Sequence, residues 1–201
     1  AEDMFEAASM VNVDFILNTV LTRDNEIAEV FCGEMELAHR KACDFARELY
    51  AVPIQRRADL VIAASPHTRN FVQTHKALYN AYQAMRPGGR IVLVAPCPEG
   101  LGSERFAKWL DLGDRKKVIA ELRQNSEING QTALSTLEKA PSTLFVTEMN
   151  IADVARLGGR KATSLQGAID LALSEVAAEM DLAPSVYVMP SAAYTVPQFE
   201  D

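Results

Sequence analysis

The sequence predicts an α/β fold, a mainly parallel sheet with flanking helices, preceded by an N-terminal β-hairpin and helix. Three observations carry this. First, "DLVIAAS" (59–65) and "RIVLVAPC" (90–97) are short, nearly continuous apolar runs, as in strands covered on both faces. Second, "NFVQTHKALYNAYQAM" (70–85) lies between them, with apolar residues at helical steps and "RPGG" as its stop. Two strands joined through one helix make a right-handed parallel unit. Third, strand-like and helix-like segments keep alternating to the end of the chain.

Taken in order, "VDFILNTVL" (13–21) and "IAEVFCG" (27–33) read as strands around a "TRDNE" turn, hence a hairpin. "EMELAHRKACDFARELY" (34–50) carries Leu37, Cys43, Phe45, Ala46 and Leu49 on a helical stripe. "AVPIQRRAD" is a polar, proline-containing connector and the best internal boundary. Segments 1–50 and 58–201 are therefore expected as separate parts. After the first parallel unit, "SERFAKWLDL", "DRKKVIAELRQ" and "QTALSTLEKA" read as helices, and "STLFVTEM" (142–149) as a third strand. "SLQGAIDLALSEVAAEM" (164–180) reads as a helix, with Thr163 and Gln166 at capping-box spacing. "SVYVMPSAA" (185–193) closes the series as a fourth strand.

Composition narrows the function classes. A net charge of −7 argues against generic nucleic-acid binding, which needs a basic face. No run approaches the ~18 consecutive apolar residues of a membrane span, so no membrane partner is expected. The first ten residues carry acids and no basic region, unlike a signal peptide. The chain opens on Ala1, which reads as a cut fragment. Cys32, Cys43 and Cys97 show no CxxC spacing, so neither a disulfide framework nor a zinc site is suggested. Cys97 is either a reactive thiol or, as expected, a buried structural one. Together these point to the cytoplasm.

In open parallel sheets, ligands bind outside the carboxyl ends of the strands. Two loops occupy that edge, "SPHTRN" after the first parallel strand and "PCPEGLGS" after the second. Gly100 and Gly102, with Ser103 as a helix N-cap, form a candidate anion or ligand loop. An ordinary βα loop is the competing reading. Phe71, His75, Leu78, Tyr82 and Met85 share a stripe that packs inward, which makes His75 a core-edge histidine. Gln73 and Lys76 lie one turn apart on another face, where an amide and an ammonium could hold a carboxylate. On physics alone the favoured reading is a solvated helix face, with Gln73 serving only the Asn70 cap. His67 and His75 have no third ligand in sight, so no metal site is expected in this chain.

The stretch "ADLVIAASPHTRNFVQTHKALYNAYQAMRPGGRIVLVAPCPEGLGSERFAKWL" resembles the C-terminal part of the nickel-pincer lactate racemase family, whose members show a "GGxPKDxNxYQxxK" segment, a "PGG" turn and an "EGLG" loop. The hairpin and helix before it, and "VYVMPSAAYTVP" after it, look like the family's flanking segments. The resemblance implies a C-terminal domain that closes over a site built by a larger N-terminal catalytic domain, which is missing here. That missing part would hold the nickel pincer nucleotide, its tethering lysine, the nickel-ligand histidine and the two acid/base histidines. No catalytic residue is then expected in this chain. Gln73 and Lys76 match the "QxxK" and would contact the carboxylate of a small-molecule 2-hydroxy acid. The implied reaction is racemisation or epimerisation by hydride abstraction and return.

Departures from the pattern bear on the substrate. Ala63 and Ala64 stand for the paired glycines, His67 and Thr68 for "KD", and Val72 for the tyrosine. A larger or different hydroxy acid, with His67 as a substitute contact, is the expectation. The alternative is a free-standing binding or interaction module of the same fold, without the catalytic half. A nucleotide-binding reading is disfavoured, since no G-x-G-x-x-G follows the first parallel strand. Segment 1–50 is expected to expose an apolar face that drives homodimerisation in isolation.

Overall fold

The computed structural model describes residues 2–178 and 182–199, and the chain divides after Ala51 into two units. In the first unit, helix α1 (Glu2–Ser9) precedes strands β1 (Ile16–Leu21) and β2 (Ile27–Gly33), which pair antiparallel, and helix α2 (Met35–Tyr50). The turn closes through Thr22 N–H to Glu26 O at 2.7 Å, with Asn25 at φ 61°; asparagine tolerates this left-handed conformation better than most residues. The Glu34 carboxylate accepts the Glu36 and Leu37 N–H groups and so starts α2.

One face of the hairpin packs on α2, with Val20, Ala38 and Ala42 buried and the Phe31 and Phe45 rings 5.6 Å apart. On the other face, register places Leu17 against Cys32 and Thr19 against Val30. There Leu17 is 62% exposed and Val30 43%. A two-stranded sheet with one open apolar face is marginal by itself.

The second unit is built on a five-stranded sheet. Chain order runs β3 (Ala51–Ile54), β4 (Ala58–Ala64), α3 (Phe71–Ala84), β5 (Met85–Val94), α4 (Glu104–Asp111), α5 (Arg115–Gln124) and α6 (Ile128–Lys139). It continues through β6 (Thr143–Val146), α7 (Ile151–Leu157), β7 (Arg160–Lys161), α8 (Leu165–Ala177), β8 (Val186–Met189) and β9 (Val196–Phe199). The sheet order is β7-β6-β5-β4-β8, with neighbouring strands parallel. The α/β class with a parallel sheet, a preceding hairpin and a preceding helix is thus the observed one.

Alternation explains the apolar runs, because each strand feeds two cores. Val61, Ile91, Leu93 and Phe145 point into the larger core, where Phe71, Leu78, Phe106, Leu110 and Leu157 meet them. Leu60, Val92 and Leu144 point the other way, onto α8 through Ala168 and Ala172. Those small residues let the helix lie close to the sheet. At the sheet's amino end, the buried Asp59 accepts the Ser185 N–H at 2.7 Å, the Ser185 hydroxyl at 2.6 Å and the Arg86 guanidinium. Glu175 on α8 holds Arg160 through two bonds of 2.6 and 2.8 Å and Arg90 at 2.6 Å.

Several boundaries differ from expectation. The connector after α2 contains β3, which pairs with β9. Helix α3 stops at Ala84, ahead of the "PGG" turn, because the chain enters β5 at Met85. Gly89 lies so close to the Asp59 carbonyl that a Cβ there would sit 2.7 Å from it. Helices α1 and α7 and the two-residue β7 fall where the sequence pattern marks no element. The N-cap of α8 is Ser164, whose Oγ accepts the Gly167 N–H at 3.1 Å, and not Thr163. The expected end of that helix at Glu179 and Met180 lies outside the described residues. The terminal run is split, since β8 ends at Met189 and β9 follows a short 3-10 turn at Ala192–Tyr194.

Candidate functional site

The site is built at the carboxyl edge of the sheet, where β4 and β5 run out into their loops. Backbone bonds continue the ladder there, from Ser65 N–H to Val94 O at 2.9 Å and from Ala95 N–H to Val146 O at 3.1 Å. The two loops are then fastened to each other. Glu99 N–H donates to Arg69 O at 2.9 Å, Phe71 N–H to Gly100 O at 3.0 Å, and Val72 N–H to Leu101 O at 3.3 Å. The Asn70 side chain caps Gln73 N–H at 3.1 Å, and Thr74 N–H reaches Asn70 O at 3.2 Å. The Phe71, Val72 and Gln73 N–H groups are thereby matched within the protein and Thr74 makes the first intrahelical bond, so this helix start presents side chains more than a row of bare N–H groups.

Gly100, Gly102 and Ser103 take specific structural duties in this arrangement. Gly100 has φ 63°, and its N–H is bound to Cys97 O at 3.0 Å. Gly102, at φ 87°, lies against Asn70 so tightly that a Cβ would come within 2.4 Å of the asparagine Cγ. Ser103 caps α4, its Oγ accepting Phe106 N–H at 3.3 Å. A guanidinium–carboxylate pair spans the two loops: Arg69 reaches Glu99 Oε1 through Nη2 at 2.6 Å and through Nε at 2.7 Å. The Arg69 bonds hold the Glu99 carboxyl below the usual carboxylate range.

Gln73 and Lys76 stand exposed one turn apart on α3. The Gln73 Oε1 accepts the Arg69 backbone N–H at 3.1 Å, which leaves its amide nitrogen as the donor end. Lys76, with His75 and Tyr79, lines a cleft of about 470 Å³ faced by Gln131, Thr132 and Ser135 of α6. His67 is exposed in the preceding loop. One ammonium and one amide NH2 thus stand exposed one turn apart on α3, donor types that suit a carboxylate, although Gln73 itself is not among the residues lining the Lys76 cleft.

Two other polar groups play structural parts. His75 is half-buried and its Nδ1 bonds to Val72 O. Cys97 is fully buried at φ 48°, 3.2 Å from the Thr74 hydroxyl. Burial pushes its thiol pKa up against the threonine hydrogen bonds, so it is not a poised thiolate. Among the described residues, no three His, Cys, Asp or Glu side chains gather where they could hold a metal ion. No helix of the described residues is long and apolar enough to cross a membrane. Sequence reasoning missed Arg69 and Glu99. Their opposite charges at the tips of the two edge loops were the available signal.

No family model matches the chain. It is 36% identical to the lactate racemase of Thermoanaerobacterium thermosaccharolyticum over 110 residues, 53% of this chain and 26% of that protein. It is also 36% identical to the lactate racemase of Lactiplantibacillus plantarum over 122 residues, 59% of this chain and 28% of that one. The solved apoprotein of the Thermoanaerobacterium lactate racemase superposes with a TM-score of 0.83 at 26% identity, covering 98% of this chain and 48% of its own. A Thermotoga maritima protein superposes with a TM-score of 0.61 at 14% identity over 92% of this chain and 49% of its own, a likeness of fold alone. The alignable sequence thus spans about a quarter of the curated relatives' length, and the fold about half of the solved relative.

Proposed function

We propose that this chain, a homologue of lactate racemase, is the C-terminal, substrate-closing domain of an isomerase that racemises or epimerises a 2-hydroxy acid. The observation that carries the reading is the Gln73 and Lys76 pair, exposed one turn apart on a helix that starts at the sheet's carboxyl edge. In this role the Lys76 ammonium draws and steadies the substrate carboxylate, and the Gln73 amide nitrogen donates to one of its oxygens. Two fixed donors on one ligand group restrict its orientation, which is how a positioning domain aids a reaction at the neighbouring carbon.

The described residues do not fit a nickel cofactor, since they supply no ligand cluster. No role of this chain's own residues therefore runs through the nickel pincer nucleotide. It belongs, in this reading, to an N-terminal catalytic domain outside the chain, and the whole works in the cytoplasm. Residues 58–201 then form the closing domain. The hairpin unit, with Leu17, Ile27 and Val30 exposed, packs against the missing half. Val72 presents no hydroxyl where the resemblance expects tyrosine, and exposed His67 makes the compensating contact to a bulkier hydroxy acid.

The test is chiral analysis of D- and L-2-hydroxy acids incubated with the nickel-loaded full-length protein and, separately, with these 201 residues. Interconversion by the full-length protein alone is expected. Turnover by the 201-residue chain itself would place the chemistry inside it and overturn the assignment.

A further inference from the structure

Glu99 touches the polypeptide at residue 69 from two sides. Its backbone N–H holds the Arg69 carbonyl at 2.9 Å, and its carboxylate holds the Arg69 guanidinium at 2.6 Å. The same carboxylate lies 3.5 Å from the Asn70 amide nitrogen. The N–H of the residue so anchored, Arg69, is the one that the Gln73 Oε1 accepts at 3.1 Å. An amide side chain has two ends of opposite polarity, and only the NH2 end can bind a carboxylate. Which end points outward is decided by what the inner end meets. Here it meets a donor, the Arg69 N–H, so the oxygen turns in and the nitrogen turns out.

The pair is also exposed, Arg69 at 73% and Glu99 at 45% of their side chains. Exposed ion pairs add little to folding stability. The arrangement thus constrains a local orientation far more than it supports the core.

We propose that Glu99 is a positioning residue that, through Arg69, sets the polarity of the Gln73 amide and so makes Gln73 a donor to the substrate carboxylate. The inference rests on the proposed function for the identity of the ligand, but its first readout needs no ligand. In the 15N-labelled chain, Glu99→Ala is expected to speed hydrogen exchange of the Arg69 N–H about tenfold. It should also raise the mobility of the Gln73 side-chain NH2, while signals from the β4 and β5 core stay in place. Glu99→Gln, which keeps an acceptor for the guanidinium, restores most of the restraint. Gln73→Glu keeps an oxygen for the Arg69 N–H but removes the outward donor. In the full-length protein, Glu99→Ala and Gln73→Glu should both raise KM several-fold for whichever carboxylate substrate is turned over, with Glu99→Gln closer to wild type.

Unchanged Arg69 exchange and Gln73 mobility in Glu99→Ala would overturn the positioning role, whatever the substrate proves to be. A changed pair of signals in a full-length protein that turns over no hydroxy acid upholds the Glu99 link. That result removes the functional reading alone.

Discussion

The buried Asp59 carboxylate and the Ser185 backbone are tied across two neighbouring strands, with the carboxylate accepting the Ser185 N–H at 2.7 Å and its hydroxyl at 2.6 Å. Residues 126 positions apart are thus joined at the amino end of β4 and β8, and Arg86 balances the charge.

Burial pushes the Asp59 carboxyl up, but the Arg86 and Ser185 bonds outweigh it and hold its pKa down to about 2. A carboxyl depressed in the folded state contributes stability above its unfolded value near 4, and loses it as pH falls from there through about 2. The contribution is ~2 kcal/mol. Asp59→Asn should lower the melting temperature at neutral pH by several degrees. Between pH 4 and pH 2 the variant should lose less stability than wild type, as followed by urea denaturation across that range.

Glu175 offers a second check on the sheet. Its bonds to Arg160 and Arg90 outweigh the upward push of burial and bring its pKa to about 2. The edge strand β7 is only two residues long, and its Arg160 is one of the two arginines in this clamp. Glu175→Gln should accelerate amide exchange at Ala162, whose N–H donates to Phe145 O at 2.8 Å, while leaving Val92 protected.

What the sequence makes legible follows from range and length. β4 and β5 were readable because both faces are covered, so their residues are apolar almost without break. The Gln73 and Lys76 pair was readable because helical spacing is a local property. α7 was missed although Asn150 and Gly158 mark its ends, since seven residues give too little periodicity to see. β3 read as a connector because Pro53 and its polar neighbours hide a strand whose partner, β9, lies at the far end of the chain. Arg69 and Glu99 pair across 30 positions, and no local pattern reports such a bond.

Gly102→Ala tests the loop packing. At φ 87°, with Asn70 Cγ 2.4 Å from the position of a Cβ, alanine forces the loop away from the α3 cap. A loss of about 1–3 kcal/mol is expected in chemical denaturation. Gly113→Ala should cost less, because the nearest atom to its Cβ would be 4.0 Å away.

The hairpin face makes a prediction for the isolated chain. Leu17 at 62% exposure and Ile27 at 63% lie on the first unit with no covering layer of its own. Sedimentation velocity should show an apparent mass above 22.0 kDa that rises with concentration. Leu17→Lys together with Val30→Lys should return it to the monomer value.

The contact proposed between the substrate carboxylate and the Lys76–Gln73 pair stands at the centre of the proposed function. Its most direct test is the steady-state kinetics of the nickel-loaded full-length protein carrying Lys76→Met, on the 2-hydroxy acid that it turns over fastest. A KM raised about tenfold or more is expected, as fits the loss of a charge-assisted contact. A KM and kcat both equal to wild type would contradict it.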